Sequence, residues 1–334
     1  MGGGNGLSSL LAGLRQFHRL HPEAQPIDIT AVVAVSDDGG SSGRLRREFE
    51  ILPPGDIRNC MVALSEDGAL LSRLFQYRFA AGRGLKGHSF GNLFLTALTH
   101  ITGDFSEAVR KSSEVLNMEG QIYPATAADV TLEAELENGR RVRGESRISR
   151  SRSPIRWVRM LPNGARPLAL TLKAIAEADL ITIGPGSLFT SVIPNLLVRG
   201  IPAALRNSKA VKAYFLNLMS QPGETTGFRA SDHIAALHRH AGGSLLDVVV
   251  ASNSAIPPRL RQRYAETKAE PIQIDREAIG AMGLELVEAD LFHFQKSPRI
   301  ALMKVRHNSA ITAQVVVELA RRGRGRRDVN GLRN

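Results

Sequence analysis

Cysteine is almost missing from this chain of 334 residues, where Cys60 stands alone. That excludes an internal disulfide. Its place in the apolar run Cys60–Leu64 reads as a buried, inert thiol rather than a nucleophile. Aromatics are scarce as well, with one Trp and four Tyr, too few for a platform of stacked bases. No apolar run approaches the length needed to span a bilayer. Met1-Gly2-Gly3-Gly4-Asn5-Gly6 has no basic or apolar region of a secretory leader, and Gly6 breaks the myristoylation pattern. A cytoplasmic protein without membrane insertion is expected. The nine histidines show no metal-ligand spacing, and a helix would turn His238 and His240 to different faces.

Acidic charge is outweighed by basic charge, for a net +11. Six arginines and one aspartate among the last fourteen residues hold +5 of it, leaving +6 on the other 320. That surplus is ordinary for a protein that binds anionic metabolites. The basic tail, 323–334, has the composition of a disordered segment. Weak contacts of this tail with RNA or anionic lipid are the only nucleic-acid role expected.

What the chain does have is an alternation of strand and helix signals, which predicts an α/β fold. Helices are expected over 56–65, 68–79, 89–101, 105–117, 167–178, from 188, over 231–240 and over 309–322. Strands are expected over 28–35, 179–183, 211–216, 246–250 and 300–305, with short ones over 271–274 and 284–287. The pattern changes between about 120 and 160. There Val130–Leu136 and Arg141–Glu145 alternate around the two-residue turn Asn138-Gly139, an antiparallel hairpin inserted at 129–147. Residues 1–322 read as one domain.

The most informative loop follows the first strand: Ser36-Asp37-Asp38-Gly39-Gly40-Ser41-Ser42-Gly43-Arg44, closing on Pro53-Pro54-Gly55-Asp56-Ile57-Arg58-Asn59. Ligands of open α/β sheets bind at the carboxyl ends of strands. Glycines, Ser41, Ser42, Arg44 and Arg46 suit an anion nest. Asp37 and Asp38 would repel an anion. They fit a divalent cation such as Mg²⁺, sugar hydroxyls or the orientation of a nucleophile. Ordinary turn chemistry uses the same residue types, but a plain connection is shorter. Three further loops repeat the theme. Gly184-Pro185-Gly186-Ser187 ends a strand, with Ser187 placed to cap the next helix. Asn217 and Met219–Thr225 follow another strand. Gly87-His88-Ser89-Phe90-Gly91-Asn92 opens a helix, with His88 a candidate acid or phosphate contact. Gly3, Gly4, Asn5 and Gly6 open the first helix like a phosphate-binding turn, although no strand precedes them in the chain.

In this order the motifs resemble the 2-phospho-L-lactate transferase and gluconeogenesis factor superfamily (the CofD/YvcK type), with the closest likeness to its bacterial, YvcK-like branch. The matching pieces cover most of residues 1–240. The resemblance implies a Rossmann-like fold, mostly parallel with helices on both faces, and often a homodimer. It implies a cytoplasmic factor for cell shape and wall synthesis on gluconeogenic carbon, with affinity for UDP-sugars. The alternative it implies is a Mg²⁺-dependent phosphotransferase using a nucleotide-diphosphate-linked donor. The family usually carries an apolar strand before the glycines and Thr where Asn5 stands, so coding sequence upstream of Met1 is expected. The expected ligand contacts are Gly3, Gly4, Asn5, Gly6, Ser41, Ser42, Asp56, Arg58, Asn59, Asn92, Gly184, Gly186, Ser187, Asn217 and Arg306. Asp37, Asp38 and His88 are the catalytic candidates, and Asp37 and Asp38 the metal candidates.

Overall fold

The computed structural model describes residues 1–65, 70–294 and 304–331. Its strands are β1 (Thr30–Val33), β2 (Gln121–Pro124), β3 (Thr131–Leu136), β4 (Arg141–Arg143), β5 (Ile155–Leu161), β6 (Leu180–Ile183), β7 (Val211–Phe215), β8 (Val248–Ser252), β9 (Glu285–Ala289), β10 (Phe292–Phe294) and β11 (Val305–His307). In the first half, α1 spans Gly4–Leu20, α2 Gly40–Phe49, α3 Gly55–Leu64, α4 Leu70–Gln76, α5 Phe90–Thr102, α6 Phe105–Val115 and α7 Glu145–Ile148. The expected strand at 300–305 lies largely outside the described residues, as do the first two residues of the helix expected at 68–79. No strand forms over 271–274, where Pro271 makes only an isolated bridge to Met219.

β1 pairs in parallel with β2, and β6, β7, β8 and β9 form a parallel sheet in that order. Met1 and Gly2 lie between these two groups. The Gly2 N–H donates to Val32 O at 3.0 Å and Ala34 N–H to Gly2 O at 2.9 Å. On the other side the Met1 amine donates to Thr182 O at 2.6 Å and Gly184 N–H to Met1 O at 2.9 Å. The spatial order is therefore β2, β1, Met1–Gly2, β6, β7, β8, β9. This is a doubly wound order that reverses between Met1–Gly2 and β6.

Burial on both faces explains the continuous apolar strands. Along β7 and β8, Val211, Ala213, Phe215, Val248 and Val250 pack with Leu10 and Leu14 of α1 and with Val316, Val317 and Leu319 of the last helix. Their alternates Tyr214, Val249 and Ala251 join the larger core on the opposite face.

The insertion is larger than the expected hairpin. β5 adds a third strand, giving the antiparallel order β4-β3-β5. Gly139 makes the turn at φ +78°. Buried Glu133, 4% exposed, bridges the two edges by accepting from Arg143 at 2.6 Å and from Arg159 at 2.7 Å. Hydrogen bonds first from Arg143 and then from Arg159 hold its carboxyl below the usual range. His240 stacks on Trp157 at 4.1 Å and accepts from Val158 N–H at 3.1 Å, which secures β5 to the main domain.

The C-terminal residues correct another expectation. The last helix runs over Ser309–Gly331, through most of the segment expected to be disordered. Arg322 pairs with Glu285 at 2.6 Å, Arg324 with Asp179 at 3.5 Å and Arg326 with Asp247 at 3.8 Å. The positive charge that argued for disorder is matched by acids around the sheet's lower edge. Gly323 lies so close that an added Cβ would come within 1.9 Å of Asp179 O. We predict that Gly323→Ala destabilises the protein by about 1–3 kcal/mol, the usual cost of overpacking. A chemical-denaturation midpoint unchanged from wild type would show that this contact does not exist in solution.

Candidate functional site

Two glycine loops meet where the strand order reverses. Gly3 is extended, Gly4 is left-handed at φ +63°, and α1 starts there without a side-chain cap. A Cβ on Gly6 would come within 2.2 Å of Pro185 O, so the loops fit only with hydrogen at that position. Gly186 approaches Gly3 O, at 3.3 Å for an added Cβ. Ser187 does not cap the following helix. Its hydroxyl accepts from Gln221 Nε2 at 2.7 Å, while Ser191 and Val192 N–H donate to its carbonyl.

A cavity of about 510 Å³ opens over these loops. Eight of the expected contacts line it: Gly3, Gly4, Asn5, Gly6, Gly186, Ser187, Asn217 and Arg306. Gly184 sits behind it, spent on the hydrogen bond to Met1. Arg306, on β11, forms no ion pair among the described residues and adds a free cation to the rim. Tyr264 is a lining residue that the sequence reading missed. Its hydroxyl accepts from Val305 N–H at 2.9 Å, which ties the helix Pro258–Glu266 to β11. The only available signal was an aromatic in an otherwise charged helix. Glu224, in the loop singled out after β7, also lines the cavity, whereas His307 was missed. His307 Nε2 lies 3.0 Å from Leu216 O, and burial lowers its pKa.

The acidic pair is divided between two tasks. Asp37 Oδ1 accepts from Gly39 N–H at 2.8 Å, so it occupies the turn that was expected to hold an external anion. Asp38 Oδ1 accepts from Ser146 N–H at 2.8 Å, at the first turn of α7, and fastens the inserted sheet to the loop. Among the described residues no three His, Cys, Asp or Glu side chains assemble in metal-holding geometry. Mg²⁺ on Asp37 or Asp38 would depend on water and ligand oxygens for the rest of its shell. Arg46 is also structural, donating to Val130 O at 2.7 Å and pairing with Asp129.

Asp56 lies directly beneath the first glycine loop, where its Oδ2 accepts from Gly4 N–H at 2.7 Å. Burial first, and then the charge of Asp37, push its carboxyl up to about 7. Burial also raises Glu224 to about 7, although Thr190 and Phe189 N–H donate to it at 3.1 and 3.3 Å. Asp37 and Glu145 are raised by desolvation and by their neighbours. These acids act on one another beneath the cavity, where Glu224 alone of them forms part of the lining, and cannot all be ionised without mutual repulsion.

Ser41, Ser42, Arg58, Asn59, His88 and Asn92 do not line the glycine-loop cavity. They form a second polar group. Ser41 Oγ lies 3.0 Å from His88 Nδ1 and accepts from Asn92 Nδ2 at 3.1 Å. Arg58 donates to Asn59 Oδ1, and Ser42 contacts Gly55.

Asp56 supplies a pH test. A carboxyl raised from 3.8 to about 7 on folding contributes fully below the unfolded value and loses that contribution as pH rises to about 7. The penalty for ionising it reaches up to about 4 kcal/mol. Asp56→Asn should therefore gain stability relative to wild type as urea midpoints are followed from pH 5 to pH 7.5. A constant difference across that range would rule out the raised pKa.

Residues 1–292 match the family described as 2-phospho-L-lactate transferase CofD. The chain is 45% identical over 318 residues to a gluconeogenesis factor of Bacillus subtilis, covering 95% of this chain and 96% of the relative. It is 45% identical over 317 residues to a gluconeogenesis factor of Halalkalibacterium halodurans, covering 95% and 94%. A crystal structure of a UPF0052-family protein from Bacillus halodurans superposes with a TM-score of 0.87 at 44% identity, over 95% of this chain and 97% of that one.

Proposed function

The chain belongs to the CofD family, alongside its gluconeogenesis factors, and on that premise we propose that it is a gluconeogenesis factor whose signal is a bound nucleotide-sugar. One observation carries the reading: two interlocked glycine loops meet at the reversal of strand order beneath a cavity of about 510 Å³. Exposed backbone N–H groups at the start of α1 suit a diphosphate, and Arg306 supplies a guanidinium for its oxygens. Asn217 and Gln221 offer amides to a base or sugar, and the Tyr264 ring offers a stacking face. A UDP-sugar is the ligand of choice, and control of cell-wall synthesis in the cytoplasm is the role. No single helix among the described residues is long and apolar enough to cross a membrane.

The second reading is a phosphotransferase. The raised carboxyls of Asp56 and Glu224 favour it, because a neutral acid near pH 7 is able to exchange a proton with an acceptor hydroxyl. A regulator and an enzyme differ in metal dependence and turnover. UDP-sugars should stabilise the folded protein equally in Mg²⁺ and in EDTA, by about 2.7 kcal/mol at a hundredfold excess over Kd, seen as the same rise in melting temperature in both. The nucleotide-sugar should be recovered intact. Arg306→Ala should weaken binding about tenfold, as expected for loss of one charge-assisted contact. Mg²⁺-dependent release of nucleotide by wild type would establish the enzyme, and no stabilisation by any nucleotide-sugar would reject the ligand class.

A further inference from the structure

Outside the glycine-loop cavity, three helices begin against one another: α2 at Gly40, α3 at Gly55 and α5 at Phe90. Asn92 on α5 donates to Ser41 on α2. A Cβ on Gly55 would come within 2.3 Å of Ser42 Oγ. The stem of Arg58 on α3 passes Gly91 so closely that a Cβ there would meet its Cδ at 2.9 Å. First turns of helices carry unpaired N–H groups and the positive end of the dipole. By themselves they are common.

The arginines set this patch apart. Arg58 is only 9% exposed and has no carboxylate partner among the described residues. Its Nε lacks any hydrogen-bond partner. Arg44 and Arg78 reach over the same loop, donating to Lys86 O at 2.8 Å and Gly87 O at 2.6 Å, and neither has an ion pair among the described residues. Arg78 acts on Arg58, and Arg44 and Arg78 act on His88. Burial and then Arg78 lower the pKa of Arg58, with Asp56 opposing. Desolvation and then Arg44 lower His88, with Glu48 opposing and Arg78 adding to the effect. Asn92, 1% exposed, also keeps one amide atom without a partner. Its O and N are interchangeable by a flip, so the unsatisfied atom becomes a donor when the Ser41 hydroxyl donates instead.

A buried guanidinium without a carboxylate is costly, and most such groups are paired. Here Arg58 bears that cost, with half-buried Arg44 and exposed Arg78 beside it at three helix starts. The nearby acids are held elsewhere or only oppose it at a distance: Asp37 is bonded to Gly39 and Ser42, Asp56 to Gly4, and Glu48 acts on His88. We propose that Arg44, Arg58 and Arg78, with Ser41, His88 and Asn92, form a subsite for a phosphate group, separate from the glycine-loop cavity. Arginine forks match phosphate oxygens, and helix first turns complete the shell. The subsite needs no nucleotide-sugar reading to stand. Its phosphate belongs either to a remote part of the cavity's own ligand or to a second phosphorylated molecule.

Calorimetry with inorganic phosphate on the full chain at low salt tests this directly. Wild type should bind with saturable heat. Arg78→Gln, on an exposed side chain that the core does not need, should weaken binding about tenfold. Arg44→Gln should do the same. Arg58→Lys keeps the charge and loses the fork, so it should also weaken binding in protein shown by circular dichroism to be folded. Arg83→Gln, a nearby exposed arginine outside the cluster, should change nothing. Loss of phosphate binding on adding UDP would assign the subsite to the nucleotide's own phosphates. Independent binding would assign it to a second molecule. Absence of saturable heat in wild type, or equal weakening by Arg83→Gln and Arg78→Gln, would overturn the proposal in favour of a diffuse surface field.

Discussion

The hydrogen bonds of Met1 and Gly2 unite the parallel sheet. Strands β1 and β6 have no direct pairing; each is bonded to the short segment between them. Because that segment leads straight into α1, the bonds that close the sheet also place Gly3–Gly6 against Gly184–Ser187. Position and chemistry are thus the same constraint. A side chain at Gly6 would collide with Pro185, and separation of the loops would withdraw the strand ends from each other. The cavity exists because the backbone must stay bare where the sheet reverses.

Electrostatics then divides the region around this junction. Asp37, Asp56, Glu145 and Glu224 cluster beneath the glycine loops, Glu224 alone of them lining the cavity, and burial raises each of them. Such acids lower their cost by remaining protonated or by accepting backbone N–H groups, as Asp56 does from Gly4. Arg306 stands on the rim, while Arg58 on α3 gathers with Arg44 and Arg78 around His88. An anion is repelled by these acids when ionised and drawn to the rim and to the arginine cluster. Asp56 and Arg58, two residues apart in the first turn of α3, bring the acidic and basic groups to about half a helical turn of each other.

Much of this was legible in the sequence, because parallel strands buried on both faces leave continuous apolar runs that end in glycine and serine. β6, β7 and β8 follow that pattern, and so do the loops that line the cavity. What was illegible depended on long-range pairing. β5 is amphipathic and charged, and only its register with β3 and the stack of Trp157 on His240 make it a strand. Tyr264 reaches the site through the bond from Val305, 41 residues away. The opening loop read as one ligand nest, yet Asp37 fills its own turn and Asp38 binds Ser146, 108 residues on. Residue type showed that these carboxylates mattered, but not which donors they would meet.

The last helix shows the same limit from another side. Composition alone makes a run of arginines and glycines look unstructured, since it lacks apolar surface to offset the entropy of ordering. Tertiary context supplies what composition omits. Acids at the starts of β6 and β9 and before β8 await Arg322, Arg324 and Arg326, and Gly323 allows the helix to approach Asp179. Exposed ion pairs contribute little individually. Their effect here adds to apolar packing already made by Val316, Val317 and Leu319, which fixes the helix axis before the arginines begin. The arginines Arg322, Arg324 and Arg326 extend a helix whose direction the core has set, along the lower edge and away from the strand ends where ligand would enter.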